Sequence, residues 1–241
     1  MTALRPFFTY FGGKWRAAPH YPKPQHDTII EPFAGSAGYS LRHPDRNVIL
    51  NDLDPKVAGT WDYIIHAPEA EVRSLPLYDG TWEAVDDLPI PQEARWLIGW
   101  WLNAATVSPC KTPSAWMRSG QNPGSFWGEA VRERVAAQQE HVRHWRVTSA
   151  SYGSLSNATA TWFIDPPYET AGKKYCQPSG NIDFAHLGGW ASSRRGQVIV
   201  CENEGAGWLP FRAFRDVQAT PNRSGARVSR EVIWTNEEEA A

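Results

Sequence analysis

Short apolar runs alternate along the chain with longer stretches of mixed polarity. Asp27-Thr28-Ile29-Ile30-Glu31 is one such run. It meets the small-residue turn Pro32-Phe33-Ala34-Gly35-Ser36-Ala37-Gly38, with a helix expected from Tyr39. Asn47-Val48-Ile49-Leu50-Asn51-Asp52 is a second run, ending on a carboxylate, and residues 160–165 and 196–201 repeat the pattern. Continuous rather than alternating apolar runs, separated by helical stretches, predict parallel strands buried on both faces in a βαβ arrangement. Glu231-Val232-Ile233-Trp234 predicts a last strand. The expected fold class is therefore α/β.

Residues 60–146 break this rhythm. Residues 132–146 have the look of a helix, and Ser119-Gly120-Gln121-Asn122-Pro123-Gly124 is dense in turn formers and predicts a loop. The chain is expected to divide into a core domain, 1–59 with 147–241, and an inserted, mostly helical subdomain, 60–146.

Composition narrows the class. Hydrophobic residues at 41% and charged residues at 21% are ordinary globular usage, which excludes disorder throughout. The longest apolar candidate, residues 96–107, contains Asn103 and falls short of the roughly 20 residues of a membrane span. Residues 1–6 lack the apolar stretch of a secretory signal, so a cytoplasmic protein without a membrane partner is expected. Cys110, Cys176 and Cys201 are too few and too scattered for a disulfide framework or a cysteine zinc site; buried thiols and no metal are expected.

A net charge of −2 argues against attachment to nucleic acid by bulk electrostatics. The average hides local patches, because residues 61–95 are acidic and residues 96–146 basic. Arg223, Arg227 and Arg230 precede the acidic stretch Glu237-Glu238-Glu239. Eight of the thirteen tryptophans fall in the insert. Most are expected to form that subdomain's own core, with Trp127, beside the turn, as a contact residue.

Three motifs carry candidate chemistry. In residues 31–38, glycines after a strand permit a tight turn and let backbone N–H groups approach a ligand. The spacing is not the G-x-G-x-x-G of dinucleotide enzymes, and a plain turn explains it equally well. Asp52 stands where a carboxylate can accept from ribose hydroxyls, although Asp52 and Asp54 equally suit a helix N-cap. In Asp165-Pro166-Pro167-Tyr168 the prolines cannot donate, so nearby carbonyls are free to accept from an amine. The Asp adds a second acceptor and the Tyr a stacking face. Phe8-Thr9-Tyr10-Phe11-Gly12-Gly13-Lys14 alone reads as a strand, a turn and a solvated lysine.

In this order, the run Tyr10 to Lys14, the run Glu31 to Gly38, Asn51-Asp52 and the Asp-Pro-Pro-Tyr motif resemble the Dam-like DNA adenine-N6 methyltransferases of phage or prophage type. The resemblance covers about residues 7–60 and 147–235. It implies a Rossmann-like methyltransferase sheet with an inserted target-recognition subdomain, S-adenosylmethionine as cofactor and double-stranded DNA as partner. By position, Tyr10, Gly12, Gly13, Phe33, Gly35, Ser36 and Gly38 would surround the cofactor, with Asp52 at its ribose and Asp165 beside it. Lys14 would lie between cofactor and base. Asp165 and the Pro166 carbonyl would accept the two N6 hydrogens of a flipped adenine, and Tyr168 would stack on its ring. Arg118, Asn122, Trp127 and Arg223 are the expected DNA contacts. Members often carry an Asp before an aromatic upstream of the catalytic motif; here Ser151 precedes Tyr152 instead. Cytosine-N4 methylation and a catalytically lapsed cofactor- or DNA-binding relative are the alternatives.

Overall fold

The computed structural model describes residues 3–120, 124–170, 172, 175–218 and 228–237. Seven strands form one sheet: β1 (Thr28–Glu31), β2 (Asn47–Asn51), β3 (Arg146–Thr148), β4 (Ala160–Ile164), β5 (Gly196–Asn203), β6 (Arg212–Gln218) and β7 (Val228–Thr235). Their order is β3-β2-β1-β4-β5-β7-β6; the first five are parallel and β7 runs antiparallel between β5 and β6. This is the expected Rossmann-like α/β sheet. The strands expected from the four apolar runs and from residues 231–234 are all present.

Alternate residues of the central strands feed two apolar layers, as the period of a strand requires. Phe163, Ile199 and Cys201 face one layer, whereas Trp162, Ile164, Val198 and Val200 face the other. The second layer is closed by α6 (Phe184–Ser192), through Leu187, Trp190 and Ala191. The first is closed by the N-terminal segment, by α1 (Pro55–His66), which straddles the boundary expected at residue 60, and by α2 (Glu69–Ser74), α3 (Gln92–Trp100), α4 (Ala115–Arg118) and α5 (Glu129–Gln138).

Trp61, Trp82, Trp100, Trp101, Trp127 and Trp145 do not form a private core of the insert. They join Phe7, Phe8, Tyr39 and Phe163 in one continuous cluster. Their indole N–H groups explain how such bulky donors are buried: Trp61 donates to Gly35 O at 2.8 Å, Trp101 to Phe7 O at 2.8 Å and Trp100 to Thr60 Oγ1 at 3.0 Å. The insert is thereby bonded to the N-terminal segment and to the turn after β1.

Two expected helices are corrected. After Gly38 only a 3₁₀ turn forms, Ser40–Arg42, because the chain leaves helical backbone at His43, the residue before Pro44. The helix expected over 132–146 ends at Gln138, passes into a 3₁₀ segment, Gln139–Val142, and gives way to β3. β3 and β6 are strands without a strong apolar run, since each lies at an edge of the sheet. No described helix is long and apolar enough to cross a membrane.

Asn51 joins the ends of the strands. Its amide donates to Pro32 O and Ala150 O, both at 3.0 Å, and its carbonyl accepts from Thr148 Oγ1 at 2.9 Å and Ala150 N at 3.1 Å. Asn51→Leu would remove all four of these hydrogen bonds. That variant is expected to lose about 3 kcal/mol of stability in urea unfolding, and a loss below about 1 kcal/mol would remove Asn51 from this role.

Candidate active site

In an open α/β sheet, ligands bind beyond the carboxyl ends of the strands, where the strand order reverses. Here the reversal lies between β1, from which the chain proceeds to β2 and β3, and β4, from which it proceeds to β5. A cleft of about 370 Å³ opens at this place, lined by the segments that follow β1, β2, β3 and β4 and by the N-terminal Tyr10–Lys14 run. Its volume lies within the range of small-molecule sites.

The turn after β1 is shaped by close packing. Gly35 has a φ of 45°, and a Cβ there would come within 3.0 Å of the Tyr10 ring. A Cβ on Gly13 would meet Ser36 Oγ at 2.9 Å. The glycines of the two motifs therefore let the two loops touch, and Gly12, Gly13, Ser36 and Gly38 all line the cleft beside Phe33.

The two roles open to Asp52 and Asp54 separate. Asp54 is the N-cap of α1, accepting from Lys56 N at 2.9 Å. Asp52 lines the cleft, its carboxylate held by Gly35 N at 3.0 Å and Asp54 N at 2.9 Å. Burial raises its pKa to about 6, against the opposing pull of those two N–H groups. Glu31, 2% exposed, reaches the cleft from the end of β1 and accepts from Ser40 N at 2.8 Å. Burial raises its pKa to about 8, partly offset by Ser40 and reinforced by Asp165.

Asp165 follows β4 and faces Lys14, with Lys14 Nζ 3.0 Å from Asp165 Oδ1. Burial raises the carboxyl pKa above the ordinary Asp range, and the Lys14 ammonium opposes that rise. Lys14 is itself 7% exposed. Burial would lower its pKa, but Asp165 and Glu231 together hold it above the ordinary lysine value. The lysine expected as solvated on local grounds is thus a buried cation that also donates to Gly12 O at 3.0 Å.

Pro166 is buried, and neither it nor Tyr168 lines the cleft; Pro167 does. The Tyr168 ring packs against the larger apolar layer with Lys14 Nζ 4.8 Å from its centroid, so the stacking face expected there is covered by the ammonium. The aromatic at the mouth is instead Tyr175, whose hydroxyl donates to Phe11 O at 3.2 Å. Of the expected contacts in the insert, Arg118 is exposed at the end of α4 and donates to Pro113 O at 2.8 and 3.1 Å. Trp127 is corrected to a core residue: it is 3% exposed and donates to Pro76 O at 2.8 Å. Trp116 is the exposed tryptophan of this region, at 63%. Asn122 and Arg223 lie outside the described residues.

Glu202, Asp183 and His186 had no signal strong enough to be singled out from sequence, whereas Ser151 and Tyr152 did. Glu202 is fully buried and accepts from Glu169 N at 3.1 Å and Trp208 Nε1 at 3.2 Å, fixing the segment after Asp-Pro-Pro-Tyr. Ser151 and Tyr152 line the far end of the cleft with Asp183 and His186, and Tyr152 Oη lies 2.8 Å from His186 Nδ1. The cysteines divide, with Cys201 buried, Cys110 half-buried and Cys176 exposed at the cleft. No cluster of metal-ligating side chains occurs among the described residues.

Neither a family model nor a curated protein matches the chain. Among solved structures it is similar to an rRNA methyltransferase of Streptomyces viridochromogenes, at 14% identity and a TM-score of 0.41, covering 96% of this chain and 88% of that one. It is also similar to a conserved hypothetical protein of Streptococcus pyogenes, at 10% identity and a TM-score of 0.39, covering 93% and 92%. A protein provisionally named a methylase from Haemophilus influenzae gives 10% identity and a TM-score of 0.36, covering 88% and 80%. Likeness at this level bears on the path of the chain alone, and function rests on the residues of the cleft.

The buried carboxyl of Glu31 has a definite pH signature. Its folded pKa of about 8 lies above its ordinary 4.5, so its contribution to stability is complete below about pH 4.5 and is lost as the pH rises through 8. The melting temperature of the wild type is therefore expected to fall, relative to Glu31→Gln, between about pH 5 and pH 9. A constant difference across that range would place Glu31 in a solvated setting.

Proposed function

We propose that the protein transfers a methyl group from S-adenosylmethionine to N6 of a flipped-out adenine in DNA. The observation that carries this reading is the meeting of Asp165, at the end of β4, with Lys14 and the glycine-rich turn after β1 in one switch-point cleft. The cleft also fits the cofactor chemically. Glu31 and Asp52 line it as carboxyls whose ionisation burial disfavours, so a cationic or hydrogen-bond-donating ligand, which favours their charged forms, would be held there.

When bound, S-adenosylmethionine supplies an electrophilic methyl on a positively charged sulfur. Asp52 would hold its ribose hydroxyls, and Phe33 with Tyr152, whose rings lie 5.5 Å apart, offers a surface for its purine. Ser151 lines this end where a carboxylate is usual in similar enzymes. Asp183, the N-cap of α6, supplies one on the same wall.

Asp165 would accept one N–H of the substrate amine and the Pro166 carbonyl the other. The nitrogen lone pair of adenine is delocalised into the ring, and two acceptors favour a more tetrahedral nitrogen with that pair localised. Asp165 is the stronger acceptor when ionised, so the Lys14 ammonium, by opposing the effect of burial, keeps it competent. The remaining contribution is alignment with acceptors already in place, without covalent catalysis. A base inside a duplex cannot reach a cleft at the strand ends, so the nucleotide must leave the stack, at a cost of a few kcal/mol.

The DNA face is read at the mouth of the cleft and at α4. Phe11 and Leu53 are 40% and 50% exposed there, and Trp116 shares its short helix with the exposed Arg118. Exposed aromatics beside a cation suit bases and phosphates.

Tritiated S-adenosylmethionine and unmethylated DNA, followed by nucleoside analysis, test the reaction. Label is expected in N6-methyladenine, abolished by Asp165→Ala with cofactor binding retained. Label in N4-methylcytosine, or in no base at saturating cofactor, sinks the reading. Trp116→Ala is expected to weaken DNA binding by about 1–3 kcal/mol with stability unchanged. Trp127→Ala should do the reverse, losing about 3–5 kcal/mol of stability. An unchanged DNA affinity in Trp116→Ala would move the interface elsewhere.

A further inference from the structure

The cluster around Lys14 contains a second carboxylate to which the proposed reaction assigns nothing. Glu231, on β7, has an oxygen 3.9 Å from Lys14 Nζ, while Asp165 Oδ1 lies at 3.0 Å on the same ammonium. The Glu231 side chain is only 10% exposed. Its other oxygen accepts from Tyr21 Oη at 3.3 Å. Tyr21 is fixed in turn, stacked on Phe214 at 4.6 Å and edge-on to Phe163 at 5.1 Å.

We propose that Glu231 is a positioning residue: it is the reserve counter-ion that holds Lys14 in place while Asp165 turns to the substrate amine. This rests on the reading of Asp165 as the amine acceptor.

An ammonium has three N–H donors. Gly12 O takes one at 3.0 Å, Asp165 Oδ1 lies at 3.0 Å as an ion pair without hydrogen-bond alignment, and Glu231 is the next carboxylate among the described residues, a small approach away. A lysine on its flexible four-carbon stem can make that approach. If Asp165 gives up part of its ion pair to accept from a substrate, an ammonium as buried as Lys14 would otherwise be left with a carbonyl alone. Such an uncompensated buried charge opposes the movement. Glu231 removes that opposition without itself touching the substrate.

The other groups facing the cluster do not offer the same service. Tyr168, after β4, and Cys201, on β5, have pKa values raised by burial and remain neutral. Tyr175 is held neutral in the same way, with a pKa of about 12. Arg215, on β6, pairs in register with Glu231 and is a cation. Among the described residues, Glu231 is thus the remaining carboxylate paired with Lys14.

The test has one arm that does not depend on turnover. In protein carrying ¹³Cε-lysine, with the Lys14 signal assigned by Lys14→Arg, Lys14 should stay protonated to about pH 10 in the wild type and in Asp165→Asn. It should lose its proton at lower pH only in the double variant Asp165→Asn/Glu231→Gln. In the kinetic arm, Glu231→Gln is expected to lower kcat by about 10- to 100-fold, with the cofactor dissociation constant changed less than about threefold. Glu231→Asp, which keeps the charge on a shorter arm, should recover part of the loss while Glu231→Gln does not. An unchanged Lys14 titration in the double variant overturns the proposal, as does a kcat within about twofold of wild type in Glu231→Gln. Absence of transfer by the wild type would instead overturn the reading of the reaction, and the titration would still decide whether Glu231 holds the ammonium.

Discussion

Parallel strands that stop together leave a row of peptide groups without ladder partners, and this protein answers that constraint with one side chain. From the last position of β2, the amide of Asn51 uses both its ends to bind the chain just beyond β1 and at the end of β3. A buried amide satisfied on all sides is rigid, because any rotation costs hydrogen bonds that no water can replace. The turn after β1, Asp52 at the next position and the Ser151–Tyr152 wall all leave from atoms that Asn51 holds. The cleft is a by-product of ending three strands at one level and bracing them there.

Electrostatics then determine what such a cleft accepts. Three carboxyl groups and one ammonium open into it, and burial makes each carboxyl resist ionisation. Water is a poor partner at this depth, so a cationic or hydrogen-bond-donating ligand, which favours the charged forms, is preferred there. The same buried ammonium that supports Asp165 lies over the Tyr168 ring, which ties the state of the carboxylate to the availability of an aromatic face.

Much of this was legible in the sequence, and for a physical reason. Strands buried on both faces need continuous apolar runs, so β1, β2, β4 and β5 could be read directly. The loops at their ends carried glycine, proline and carboxylates whose spacing is constrained by the turn they make. Edge strands such as β3 and β6 bury less and leave a weaker pattern. Burial of the tryptophans was legible, but its sharing was not. A Trp at a helical spacing shows that it faces something, and only the fold reveals that Trp61 and Trp101 face Phe7 rather than each other's helices. Trp116 and Trp127 sit eleven residues apart in equally polar surroundings, and nothing local distinguishes the exposed one from the buried one. Glu231 left the faintest trace, an acid next to Arg230 where the apolar part of β7 begins. Its partner Lys14 lies at the other end of the chain, and sequence proximity carries no information across such a distance.

That distance has a consequence for the order of assembly. Lys14 is made more than two hundred residues before Glu231. Domains form as units during synthesis, with the earlier part of the chain free to fold first. The β1–β4 side of the sheet, with Asn51, the cleft and Asp165, can take shape while β7 is still unmade. The ammonium of Lys14 then rests on a single carboxylate until the hairpin of β6 and β7 closes beside β5. Insertion of β7 between two strands is therefore also a completion signal, because it brings the last charge of the site into place only when the whole sheet exists.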